Sequence, residues 1–144
     1  MRTFASLTEH KLLVATSLLG ITGLVILRAF DPSTSGIFPP CPVRYLTGFY
    51  CPGCGTLRAL HALLQGDLYR AWAMNPFAVT ALPFVCYGLA SETLSVLRGK
   101  GLPQVIVPAN WLRALAVAIV LYGVARNLPI HPFNLLAPGA LLHP

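Results

Sequence analysis

"AWAMNPFAVTALPFVCYGLAS", residues 71–91, runs for twenty-one residues without a charge. A helix of that length reaches about 30 Å, the thickness of a bilayer's hydrocarbon core. Asn75-Pro76 reads as its true start, because proline lacks the N–H that a first helical turn leaves unpaired. The span is therefore expected over 75–97, with Glu92 and Arg98 at its far end. Pro83 falls inside it and predicts a kink of the kind membrane helices tolerate.

The rest of the chain shares this bias. Hydrophobic residues make up 56% of the 144 positions and charged residues only 10%, against about 25% charged in soluble domains. A mean hydropathy of +0.69 exceeds what one soluble core of this length buries. Residues 12–27, "LLVATSLLGITGLVIL", form another uncharged run, with Lys11 before and Arg28 after. Ala29 and Phe30 extend it, and both cations can snorkel, which predicts a span over 11–30. A cleaved signal peptide would look similar, but no small-x-small cleavage site follows; Asp31-Pro32-Ser33 ends the run by turn chemistry. A third span is expected over 109–128, with Asn110 as cap, Trp111 at the interface and Pro129 as stop. The fold class is thus an all-α membrane protein: a single multi-pass domain of three spans in the cell membrane, with the lipid bilayer as solvent.

Three spans put the loop 31–70 on the same side as the tail 129–144, opposite the N-terminus and the basic loop 98–108. Basic residues divide evenly between the sides. Arg2, Lys11, Arg98, Lys100 and Arg113 stand on one, and Arg28, Arg44, Arg58, Arg70 and Arg126 on the other. If Arg44 and Arg58 are fixed in folded structure rather than free topogenic charges, the N-terminus is cytoplasmic. The net charge of +6 is scattered between apolar runs. That suits headgroup contact rather than nucleic acid.

The loop between the first two spans concentrates the reactive groups. Cys41-Pro42 is followed, nine residues on, by Cys51-Pro52-Gly53-Cys54-Gly55. Proline presets the turn and glycine supplies backbone freedom, so that N–H groups face sulfur, as in knuckles that hold zinc or iron. A full zinc ribbon has two knuckles; here there is one, plus Cys41. Cys41 is expected close to Cys51 and Cys54, since closing a ten-residue loop costs little. Residues 55–65 read as a short amphipathic interfacial helix ended by Gly66. Leu57, Leu60, Leu63 and Leu64 fall on one face, and Arg58, His61 and Gln65 on another. His61 is a candidate fourth metal ligand beside Cys41, Cys51 and Cys54, although two turns of helix separate it from Cys54 by roughly 10 Å. Water or His131 would serve equally, and a polar-face histidine at headgroup level is the plain alternative. Cys86 reads as a small buried apolar residue of the second span.

The same residues fit other chemistry. A Cys-x-x-Cys at a helix N-terminus is also the redox arrangement, in which the helix dipole and Arg58 would lower the Cys54 thiol pKa. No thioredoxin-like pattern surrounds it. A plain disulfide from Cys41 to Cys51 or Cys54 is the third possibility. Nothing in the chain forms a Ser-His-Asp set, a phosphate loop or a carboxylate pair; Glu9, Asp31, Asp67 and Glu92 are scattered. The low density of reactive groups favours a non-catalytic module, or an accessory subunit of a larger membrane complex, over an enzyme. The competing reading is a membrane thiol-disulfide oxidoreductase using Cys51 and Cys54. Gly66 ends the short helix and Asp67 caps the next. Arg58, Asp67 and Asn75 are expected to hold the cysteine loop, with Asp67 near Arg70 and in reach of Arg58. Cys51, Cys54, Arg58 and Arg126 are the alternative cluster for an anionic ligand or headgroup.

"CPVRYLTGFYCPGCGTLRALHALLQGDLYRAWAMNPF" resembles the signature of a widespread group of small bacterial integral membrane proteins, a domain of unknown function. Its ordered motifs fall here at Cys41-Pro42, Leu46-Thr47-Gly48, Cys51 to Gly55, Arg58-Ala59, Gly66-Asp67 and Asn75-Pro76, with a further likeness at Arg126-Asn127-Leu128-Pro129. The resemblance covers about residues 38–130. The common form has Thr-Arg-Ala after the knuckle, whereas Leu57 here separates Thr56 from Arg58. It implies a membrane protein of the same topology and no established activity.

Overall fold

Each uncharged run folds as a helix. The computed structural model describes residues 7–98, 102–103 and 108–142, and among them every regular element is helical. Most of the basic loop 98–108, with Lys100, and the N-terminal Arg2 lie outside the described residues. In chain order the helices are α1 (Leu7–Ala29), α2 (Pro42–Thr47), α3 (Thr56–Leu64), α4 (Leu68–Met74), α5 (Pro76–Arg98) and α6 (Ala109–Ala125). Two short 3₁₀ turns, Phe133–Leu136 and Ala140–Leu142, end the chain.

By length and composition, α1 and α5 can cross a membrane. The third expected span is shorter than 109–128: α6 is an apolar helix that stops at Ala125 after 17 residues. It begins from Pro108, so Asn110 lies inside the helix rather than capping it. α5 runs unbroken through Pro83.

The chain divides into two compact units. One carries α1 up to Ile26 and α5 from Ala81. Its apolar side chains are displayed rather than buried: Leu19 is 75% exposed and Phe84 77%, an exposure compatible with a membrane environment. Cys86 is likewise exposed on α5, not buried as its small apolar character led one to expect. Threonine hydroxyls in these helices bond back to their own helix, as Thr16 Oγ1 does to Leu12 O (2.9 Å) and Thr22 Oγ1 to Leu18 O (2.8 Å). Each such bond pairs a hydroxyl that an apolar surrounding would otherwise leave unsatisfied.

The other unit holds Leu27–Thr80, α6 and the tail. Its core is small. Ala59 and Ala62 of α3 meet Ala71 and Met74 of α4, with Leu63, Val79 and Leu142 packed around them. Alanine lets the two helices approach closely, so α3 buries Ala59, His61 and Ala62 rather than the leucine face the periodicity picked out; Leu57 remains 44% exposed. Gly66, at φ +85°, turns the chain between them, and Asp67 Oδ1 caps α4 by accepting from Arg70 N (2.8 Å). The tail folds back over α4, where Gly139 N donates to Ala73 O (3.0 Å) and Tyr69 Oη to Leu141 O (3.2 Å).

A three-sulfur candidate metal centre

Proline and glycine shape the knuckle before any tertiary contact does. Cys54 N donates to Cys51 O (3.0 Å) and Thr56 N to Gly53 O (3.1 Å), closing two successive turns. Gly55 sits at φ +87°, a conformation that side chains disfavour. A Cβ there would also lie 2.6 Å from Met74 O. Cys41 precedes α2, whose six residues fold its sulfur back toward the knuckle.

The three sulfurs converge. Cys41 Sγ lies 3.4 Å from Cys51 Sγ, and Cys51 Sγ lies 3.3 Å from Cys54 Sγ. All three fall within 4.8 Å of one another, and all are free thiols. A disulfide needs about 2.05 Å, whereas sulfurs around one tetrahedral zinc stand roughly 3.8 Å apart. The trio is thus placed to hold a metal ion. Neither His61 nor His131 belongs to this group. His61 is buried elsewhere: its Nδ1–H donates to Leu27 O at 2.6 Å, and Gln65 Nε2 donates to Arg28 O at 3.0 Å. These neighbours on α3 satisfy two of the carbonyls that the end of α1 leaves open. Among the described residues the sulfurs therefore have no fourth protein ligand.

Around the sulfurs lies a shell of buried polar groups. Asn75 is 1% exposed and uses both ends of its amide. Nδ2 donates to Pro52 O (3.1 Å), Cys54 O (3.4 Å) and Thr56 Oγ1 (3.0 Å); Oδ1 accepts from Ala78 N (3.1 Å) and Tyr122 Oη (3.0 Å). One side chain thereby caps α5 and fixes the knuckle backbone. Arg126, also 1% exposed, donates to Cys51 O (3.2 Å), Pro52 O (3.1 Å), Met74 O (3.2 Å) and Leu136 O (2.9 Å). Asn127 pairs with both backbone groups of Tyr50, accepting from N at 2.7 Å and donating to O at 2.9 Å. Gly123 of α6 completes the fit, since a Cβ there would stand 2.9 Å from Pro52 Cγ. The sequence singled out Asn75 and Arg126; Asn127, Tyr122 and Gly123 were missed as partners of the knuckle. Asn127 stood in the quoted Arg126-Asn127-Leu128-Pro129 segment, but nothing local shows what it binds.

Arg126 has no carboxylate partner among the described residues. Burying an unpaired guanidinium costs several kcal/mol even when its hydrogen bonds are made. The ionisable groups around it are Tyr122, Cys54, Cys51 and Tyr50. Of these the thiols are the ones that lose a proton on meeting a metal.

The sulfurs differ in environment. The Arg44 peptide N–H at the start of α2 lies toward the Cys41 sulfur without closing a capping bond, and lowers that thiol to about 7. Burial acts oppositely on Cys54 and pushes it up to about 12. This reverses the expectation that the helix dipole and Arg58 activate Cys54: the residue is 7% exposed, and desolvation outweighs the dipole. A bound dication would invert that balance by supplying opposite charge.

Arg58 and Asp67 do not meet. Asp67 is engaged in capping α4, and Arg70 pairs instead with Asp31 at 3.6 Å, an exposed contact worth about 0–1 kcal/mol. Arg58 is exposed beside the knuckle, on the wall of an open cleft of about 670 Å³ that also includes Cys41, Arg44 and Cys54.

Residues 41–89 match a family described as protein of unknown function (DUF2752). The matched segment begins at Cys41 and contains all three converging cysteines, α2 to α4 and the first half of α5. Neither the curated proteins nor the solved structures hold a match to the chain.

Proposed function

We propose that this chain is a small multi-pass membrane module whose cysteine knuckle binds one thiophilic metal ion, zinc or iron, through Cys41, Cys51 and Cys54. The convergence of three free sulfurs within 4.8 Å carries this reading. Charge supports it. Three thiolates and a divalent ion sum to one negative charge, and the buried Arg126 guanidinium supplies one positive charge beside them. Without an ionised sulfur, that guanidinium has no counter-charge among the described residues. Three protein ligands leave one coordination position for water or another ligand. The surrounding hydrogen bonds from Asn75, Arg126 and Asn127 fix the knuckle backbone, as a structural metal centre requires, and we read the chain as a non-catalytic module or an accessory subunit of a larger membrane complex.

In this reading α1, α5 and α6 all span the bilayer, with the N-terminus cytoplasmic and the cysteine loop on the opposite face. At 17 residues, α6 reaches the lower limit of about 17–25 for a spanning helix. Arg44 is stacked on the Tyr50 ring at 3.8 Å, which supports leaving it out of the count of free topogenic charges.

Contact between the sulfurs favours a second reading, a thiol-disulfide oxidoreductase in which Cys51 exchanges with Cys41 or Cys54. Serine substitution separates the two. Two ligands of one ion fail alike, so Cys51→Ser and Cys54→Ser should each lose the metal and fold poorly. In a redox pair one variant folds and traps a mixed disulfide with its partner while the other stays silent.

A further inference from the structure

The cleft beside the sulfurs is cationic on a chain that has few charges to place. Its wall carries Arg44 and Arg58 and none of the four acidic residues of the chain. Neither guanidinium has a carboxylate partner among the described residues. Arg44 lies flat on the Tyr50 ring at 3.8 Å and makes only a long 3.5 Å contact to Gly48 O, so its face is held while its N–H edge stays available. Arg58 donates no hydrogen bond among the described residues. Between the arginines the wall is formed by Gly53 to Arg58, the start of α3. Gly55 has no side chain to cap that helix, and the Leu57 and Arg58 peptide N–H groups have no partner among the described residues.

We propose that this cleft binds an anionic phosphate group, one whose charge is not offset by a cation on the same molecule. Two planar guanidiniums offer paired donors suited to oxyanions, and the two free peptide N–H groups add to them. Several donors from different directions suit a tetrahedral group with many acceptor oxygens better than a single carboxylate. The cleft of about 670 Å³ exceeds a phosphate alone, and Phe38, Tyr45 and Pro39 provide an apolar lining for whatever the phosphate is attached to. The group comes either from an anionic phospholipid or from free phosphate and its soluble esters.

The test uses the full-length protein in an uncharged detergent. Native mass spectrometry or thermophoresis would follow binding of phosphatidylglycerol, of phosphatidylcholine with the same chains, and of inorganic phosphate. Phosphatidylglycerol or phosphate should bind wild type more tightly than phosphatidylcholine does. Arg44→Gln combined with Arg58→Gln should weaken that binding by about tenfold or more, the loss expected when charge-assisted pairs are removed. Arg58→Gln alone keeps the Arg44–Tyr50 stack and should show a smaller loss in the same direction. Arg113→Gln, on α6, should change nothing, and unaltered helical circular dichroism would show the variants folded. Binding of phosphatidylglycerol with phosphate as a weak competitor identifies a lipid source; binding of phosphate without lipid selectivity identifies a soluble one. The proposal is overturned if the folded double variant binds both anionic probes as wild type does, or if wild type binds neither better than phosphatidylcholine.

Discussion

Gly55 and Arg126 hold the knuckle by opposite means, one by having no side chain and the other by having the largest fully buried one. At φ +87° and with Met74 O only 2.6 Å from a would-be Cβ, Gly55→Ala combines backbone strain with a clash against peptide oxygen. It should destabilise the fold by about 1–3 kcal/mol or more, read by thermal or denaturant unfolding in detergent. Gly123→Ala would ordinarily stabilise a helix interior; here the Pro52 ring at 2.9 Å should turn the effect destabilising. Arg126→Gln removes both the counter-charge and most of the carbonyl contacts. It should weaken metal binding by roughly 10–100-fold, measured by competition with a chromophoric chelator, as expected for groups that orient ligands. The sequence exposes some of this. The Pro-Gly turn and Gly55 read as a knuckle because local backbone chemistry dictates it. The partners Asn127, 77 residues from Tyr50, and Tyr122, 47 residues from Asn75, become visible only once α6 is in place.

At the scale of elements, α3 is where pattern and packing parted. Its limits were legible from Gly55 and Gly66, but its buried face was not, because close alanine packing against α4 outweighed the stripe of leucines. His61 belongs to that packing. It spans from α3 to the C-terminal carbonyl of α1, a role that needs the two helices side by side and leaves no local trace. His61→Ala should therefore lower stability while leaving metal stoichiometry unchanged, whereas a ligand histidine would lower both. The loop preceding α3 makes a pH-dependent prediction. In the metal-free protein the Cys54 thiol rises from 9.0 to about 12. Between those values the folded state keeps a proton that the unfolded chain releases, so stability falls as pH rises through that window. Unfolding of apo wild type against Cys54→Ala over this range should show a steeper loss in wild type. Metal loading should abolish the difference, since the bound thiolate no longer carries the proton.

For the molecule as a whole, the apolar side chains exposed along α1 and α5 are compatible with a membrane environment, and the proposed membrane location predicts that alkaline carbonate without detergent does not extract the protein. The uncharged runs revealed these helices directly, because twenty apolar residues in succession have few alternatives. The sequence was less informative about α6, whose 17 residues end before the polar Arg126-Asn127 pair that serves the knuckle. In the proposed three-span arrangement two demands would meet at that helix end: apolar length for the membrane and polar reach for the site. Opposite localisation of reporters fused at the two termini would agree with three spans; the same side would contradict them. The central claim is the metal centre, and the most direct test is metal analysis of the purified full-length chain paired with thiol counting before and after chelation. The account predicts about one zinc or iron per chain. Cys86 alone should react while the metal is bound, and all four cysteines after it is removed. A metal-free protein in which two of the three knuckle thiols become countable only after reduction would contradict it.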